Sequence, residues 1–333
     1  MRKTLAAAAV IVFATIGAAN AQQTFKISCF CPAPDPTWKD VIQPWIDQVT
    51  KEGAGVIKME GYAGGTLQKN PALQVKIVQD GVAEGAWVVP AYTPGRFPDV
   101  DVMELPGVIH NVKESSIAVY RLYKKGLFRG FDEFYVPLMT TTHPYSIHTN
   151  FPVNQIEDLK GKKLRAGGPV AGNAVKALGA VPVGMPVTDI AESISRGVLD
   201  GTAAEWNVMN AFRIIDVAKH HYMAPIGTVP LSVLISKKAY DGLPAKGREL
   251  LDRTSGEVLS RKFGDVHLKI QDVKLEETKK MAGHSIVAPD AAATKKWDAT
   301  MKPVIDEFVK THPNGQKLYD ALVTELKAIR AGM

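Results

Sequence analysis

Beyond residue 21 the sequence holds no apolar run approaching the roughly 20 residues that a bilayer-spanning helix requires, which argues against stable membrane insertion. It has only two cysteines, Cys29 and Cys31, so a multi-bridge disulfide framework is excluded. In an extended strand, residues two apart sit about 6.6–6.8 Å from each other, at the upper limit for a disulfide, so the pair reads as two free, buried thiols. There is no G-x-G-x-x-G, no P-loop and no G-x-S-x-G. No tandem repeat, low-complexity tract or flexible linker appears. Charge of one sign is not concentrated anywhere. The net +6 is spread among interleaved acids, as where Lys279 and Lys280 follow Glu276 and Glu277, which reads as solvated surface and not as a nucleic-acid face. Among the eight histidines none forms a metal motif. His220 and His221 are adjacent and would diverge by about 100° on a helix. His110, His143 and His148 lack acidic neighbours and read as surface or loop residues.

What is present begins with an export signal. Arg2 and Lys3 precede the apolar run Thr4 to Gly17, and Ala19-Asn20-Ala21 gives a small-x-small cleavage site. Residues 1–21 therefore read as a signal peptide, with periplasmic localisation of the rest. Cys29 lacks the flanks of a lipoprotein site. Hydrophobic residues are 46% and charged ones 22%, as in an ordinary folded globule. An exported protein of this size without a catalytic motif reads as a binder, not an enzyme. A lyase or hydrolase is the disfavoured alternative.

Short strands alternate with amphipathic helices, the α/β pattern. Phe25 to Cys31 reads as a first strand, broken by the Pro32–Pro36 loop. Trp38, Val41, Ile42, Trp45, Ile46 and Val49 make one helical stripe, with a slight bend expected at Pro44. Strands are expected over 56–62, 86–90, 163–166, 199–205 and 229–236, the last returning to the first lobe. Residues 135–149 read as one extended stretch. Helices are expected over 169–178, 208–219, 244–281 with few breaks, 293–310 and 316–330. Asp189 with Glu192 reads as a helix cap, and Gly197 as that helix's stop.

One ordered set of motifs carries a family resemblance. It runs Leu159-Lys160-Gly161-Lys162-Lys163-Leu164-Arg165, then Ala177-Leu178-Gly179-Ala180-Val181-Pro182-Val183, then Gly197-Val198-Leu199-Asp200-Gly201. Gly64-Gly65-Thr66-Leu67, Met103-Glu104-Leu105-Pro106 and Tyr240-Asp241-Gly242-Leu243-Pro244 flank it in order. The chain thereby resembles the DctP-like substrate-binding subunits of tripartite ATP-independent periplasmic (TRAP) transporters. The resemblance implies a two-lobed periplasmic binding protein fold, with mixed sheets flanked by helices and a long helix spanning both lobes. The expected partition is 22–148 plus about 229–260 for lobe I, 149–228 plus part of the C-terminal helices for lobe II, and 261–333 packing across both.

The resemblance also implies that Arg165 pairs with a ligand carboxylate. The chemistry agrees, because arginine presents a rigid, permanently charged fork matched to a carboxylate. Arg165 also ends a strand before the Gly167-Gly168-Pro169 turn, where ligands sit in open α/β sheets. In relatives that bind 2-oxo acids, residues like Glu205 and Trp206 hold a metal ion and pack on the ligand. That site also uses a Gln where this chain has Tyr145, so no metal or other cofactor is expected. Tyr145 also replaces the second arginine of sialic-acid-binding relatives. Asn207 offers an amide or caps a helix. Tyr92 and Trp38 are candidates for an aromatic wall, although Trp38 also begins the core stripe. Arg96 reads as structural. The function expected is capture of a small organic acid, either a 2-oxo or hydroxy acid or an aromatic monocarboxylate, by a monomer that delivers it to TRAP permease subunits. Service to an ATP-driven importer or a sensor kinase is the alternative.

Overall fold

A computed structural model describes residues 22–332, so the expected signal peptide lies outside the described residues. Its strands run β1 (Gln23–Ser28), β2 (Ile57–Tyr62), β3 (Gly85–Val88), β4 (Phe134–Thr141), β5 (Ser146–Thr149), β6 (Lys163–Ala166), β7 (Val181–Gly184), β8 (Gly201–Ala204), β9 (His220–Tyr222), β10 (Pro230–Ser236) and β11 (Ser285–Val287). They form two mixed sheets of order β2-β1-β3-β10-β4 and β11-β9-β5-β8-β6-β7. In the first sheet β10 runs antiparallel between β3 and β4, while β1 is parallel to β2 and β3. The chain passes between the sheets after β4 and returns before β10. The stretch 135–149 is thus two strands in different sheets, parted at the crossover.

The long helix Glu257–Lys279 ties the sheets together. Ser260 Oγ donates to the Met139 carbonyl of β4 at 2.8 Å, and Gln271 Oε1 accepts from the Trp206 amide, just past β8, at 3.0 Å. The 244–281 expectation is corrected by a break at Ser255-Gly256 between the helices Ala245–Thr254 and Glu257–Lys279. Gly256 has φ 81°, its amide is bound by the Pro137 carbonyl at 2.7 Å, and an added Cβ would lie 2.7 Å from the Tyr120 hydroxyl. No other residue meets the backbone and the steric demand together.

The stripe from Trp38 to Val49 is buried throughout. Its first turn, Thr37–Ile42, is a wide π turn leading into Gln43–Glu52. Pro44 supplies no N–H, so the regular register fails just there. The 208–219 helix shortens to Trp206–Ala211, because Arg213 adopts the left-handed conformation at φ 55° and turns the chain toward β9. Asp189 makes no capping bond. It sits in the turn Val187–Asp189 and accepts from the Thr188 hydroxyl.

Two further expectations are overturned. Cys29 and Cys31 form a disulfide, not two thiols. β1 ends at Ser28, and the bent backbone beyond it brings the two Cα atoms to 5.3 Å, closer than strand spacing allows. The histidines also differ from the reading of surface and helical residues. His148 on β5 and His221 on β9 are fully buried register partners, with their Nδ1 atoms 2.8 Å apart. His221 Nε2 meets His284 Nδ1 at 3.0 Å. Burial pushes His148 to about 4 and His221 to about 2, so both rings are neutral.

Candidate ligand-binding site

The carboxyl ends of β1, β3 and β8 face one cavity between the sheets, with an empty volume of about 540 Å³. Phe30, Trp87, Phe212 and Phe263 form its apolar wall. Phe30 and Phe212 come from opposite sheets, with ring centroids 6.5 Å apart, and Trp87 stacks on Phe263 at 5.8 Å. Tyr92 follows β3, and Tyr145 lies on the β4–β5 crossover. Both line the same space.

Arg165 sits next to these tyrosines at 1% exposure. Its Nε donates to the Met185 carbonyl at 3.1 Å and its Nη2 to the Tyr92 hydroxyl at 2.7 Å. Its Nη1 is buried with no hydrogen-bond partner. The Tyr92 oxygen also accepts from the Val187 amide at 3.1 Å, so one phenol ties the first sheet's loop to two elements of the second. Tyr145 is buried in the fields of Arg165, Tyr92 and Glu205, and burial chiefly raises its phenol pKa, keeping it protonated. A buried guanidinium that is only partly hydrogen-bonded favours an anion beside it.

The turn that follows Arg165 is held by Glu104. This fully buried carboxyl accepts from the Ala171 amide at 3.2 Å at the start of the helix Pro169–Ala177. Gly168 lets it approach, since a Cβ there would fall 2.0 Å from Oε1. Burial, with the field of Asp101, pushes Glu104 up to about 8.

The cavity lining is also rich in acceptors. Asp35 is 5% exposed and accepts from the Thr37 amide at 2.7 Å. Glu205 accepts from the Asn207 and Val208 amides at 2.7 and 3.0 Å, capping the helix Trp206–Ala211. Burial raises Asp35 and pushes Glu205 up to about 7, and each lies in the other's neighbourhood through Asn207. The Thr37 hydroxyl meets His267 Nε2 at 3.3 Å, and burial holds that imidazole neutral at about 3.

Of the residues singled out from sequence, Tyr92, Tyr145, Glu205 and Asn207 line the cavity and Arg165 adjoins it through the two tyrosines. Trp38 and Trp206 do not line it. Trp38 packs on Gly61 of β2, within the core stripe. Trp206 turns away, edge-on to His148 and His221 at 4.9 and 4.8 Å. Arg96 pairs with Glu133 beside Phe97 and Phe134. The residues missed were Phe30, Asp35, Trp87, Phe212, Phe263 and His267. Phe30 and Asp35 follow a strand's carboxyl end, a signal that was there to use, whereas Phe263 and His267 look like any helical core pair. The relatives' metal site does not fit this chain. Tyr145 is no metal ligand of that kind, and no cluster of three or more His, Cys, Asp or Glu residues able to hold a metal occurs among the described residues.

Residues 27–312 match the model of the bacterial extracellular solute-binding protein family 7, DctP. The chain belongs to that family. It is a TRAP-type solute-binding protein, and its fold and family are those of transport proteins. A solute-binding protein of Albidiferax ferrireducens is 25% identical over 264 residues, 77% of each chain. A marine metagenome TRAP solute-binding protein, solved with 3-hydroxybenzoate and specific for aromatic acid ligands, superposes with a TM-score of 0.87 at 26% identity, covering 92% of this chain and 99% of that one. A TRAP solute-binding protein of Rhodoferax ferrireducens with copurified benzoate gives 0.86 at 25% identity, covering 93% and 99%.

Proposed function

We propose that this DctP-family protein captures an aromatic monocarboxylate in the periplasm, as a monomer, and delivers it to TRAP permease subunits. The observation that carries the reading is the buried Arg165, with Nη1 unpartnered, beside two tyrosines at the edge of an aromatic-walled cavity. The guanidinium would neutralise the carboxylate, and Tyr92 and Tyr145 would hold its oxygens. Phe30, Trp87, Phe212 and Phe263 would sandwich the ring and exclude water. The aromatic acids bound by the two relatives above point the same way.

The lobes would be 22–148 with about 229–260, and 149–228 with part of the C-terminal helices, while 261–333 packs across both. Ligand contacts to both lobes would favour the closed form that docks on the permease. The test is a thermal-shift screen against benzoate, hydroxybenzoates, phenylacetates and short 2-oxo acids. A ligand at 100 times its Kd adds about 2.7 kcal/mol of stability. A best response from a 2-oxo acid, with none from any aromatic acid, would overturn the aromatic assignment.

A further inference from the structure

We infer that the cavity has a second recognition end, formed by Asp35, Glu205 and Asn207, that selects aromatic monocarboxylates bearing a hydroxyl group and rejects dicarboxylates. This rests on the carboxylate reading of Arg165 and deepens it.

Two sets of polar groups border the cavity. Arg165 with its tyrosines makes one. Asp35, from the loop after β1, and Glu205, just past β8, make the other with Asn207. Tyr145 lies within the fields of both Arg165 and Glu205, so it adjoins both sets. No Lys or Arg is among the residues lining the cavity. Asp35 and Glu205 already lie close together, so a second carboxylate there would either face their charge or force their protonation, a cost in both cases that no lining cation offsets. A hydroxyl brings a proton and no charge. Asp35 uses one oxygen for the Thr37 amide, and a carboxylate has lone pairs for more than one donor. The amides that hold Asp35 and Glu205 fix both acids in place. The disulfide does the same for the Asp35 loop, since Cys31 also borders the cavity.

An ether oxygen differs from a hydroxyl in lacking the proton. A site built to accept a hydrogen bond discriminates strongly against an analogue that cannot donate one.

The test is calorimetry on the mature protein with benzoate, 3- and 4-hydroxybenzoate, their methoxy analogues and isophthalate. The better hydroxybenzoate should bind about tenfold or more tighter than both benzoate and its methoxy analogue, with isophthalate weakest. In Asp35→Asn and Glu205→Gln the ratio of hydroxybenzoate to benzoate affinity should fall toward one, whatever each change does to the common affinity. A methoxy acid or isophthalate that equals or beats the hydroxy acid overturns the inference. So does a ratio unchanged in both variants. If either variant fails to fold, the ranking on the unaltered protein still decides. Failure of all these acids, benzoate included, would instead remove the carboxylate reading itself and this inference with it.

Discussion

The Tyr92 hydroxyl accepts a hydrogen bond from Arg165 Nη2 at 2.7 Å across the gap between the two sheets. Tyr92 belongs to the loop after β3, and Arg165 to β6 of the other sheet. The residue proposed to hold the ligand thereby also joins the two halves. Tyr92→Phe removes the oxygen shared by Arg165 Nη2 and the Val187 amide. Leaving buried donors unpaired costs about 1–3 kcal/mol. Denaturant unfolding should show a loss in that range, and calorimetry should show weaker ligand binding.

Arg165→Ala should weaken binding of an aromatic acid by about 30-fold to several-thousand-fold, corresponding to roughly 2–5 kcal/mol for an abandoned buried charge pair. Arg165→Lys should recover only part of this, because a lysine lacks the fork that also reaches Met185 and Tyr92. Titration calorimetry with the best ligand from the screen checks both. Equal affinity for Arg165→Ala and the unaltered protein would remove the anchor.

Glu104 gives a pH signature. Its folded pKa is about 8, against 4.5 as the ordinary value. Between those values the folded state keeps a proton that the unfolded state releases, so its contribution to stability falls as pH rises from about 4.5 to 8. Relative to Glu104→Gln, the wild-type melting temperature should be comparable near pH 5 and lower near pH 8.5. Melting curves across that range test the sign. A gap that narrows with rising pH would refute it.

The Cys29–Cys31 bridge closes a very short loop, so chain entropy assigns it only about 1.5 kcal/mol. Reduction, or replacement of both residues by Ser, should lower the melting temperature by a few degrees. Alkylation of the unreduced, denatured protein followed by mass measurement should find no reactive thiol.

The sequence alone determined the fold class, the family and the strand that carries Arg165. Those depend on local periodicity and on motifs contiguous in the chain, and β6 occupies the very residues 163–166 that the turn at Gly161 and the glycines after it delimit. The core stripe from Trp38 to Val49 was legible for the same reason. What only the tertiary structure decided depends on where separate segments meet. Trp38 and Trp206 have the composition of a ligand wall but pack into the interior, while Trp87, Phe212 and Phe263 converge on the cavity from stretches far apart in sequence. The cysteines looked too far apart to bridge because strand spacing was assumed where the backbone bends. His148 and His221 became neighbours only through strand pairing. Arg165 could be named from its strand, but its Tyr92 partner, and the acids that line the cavity, follow from two sheets folding face to face.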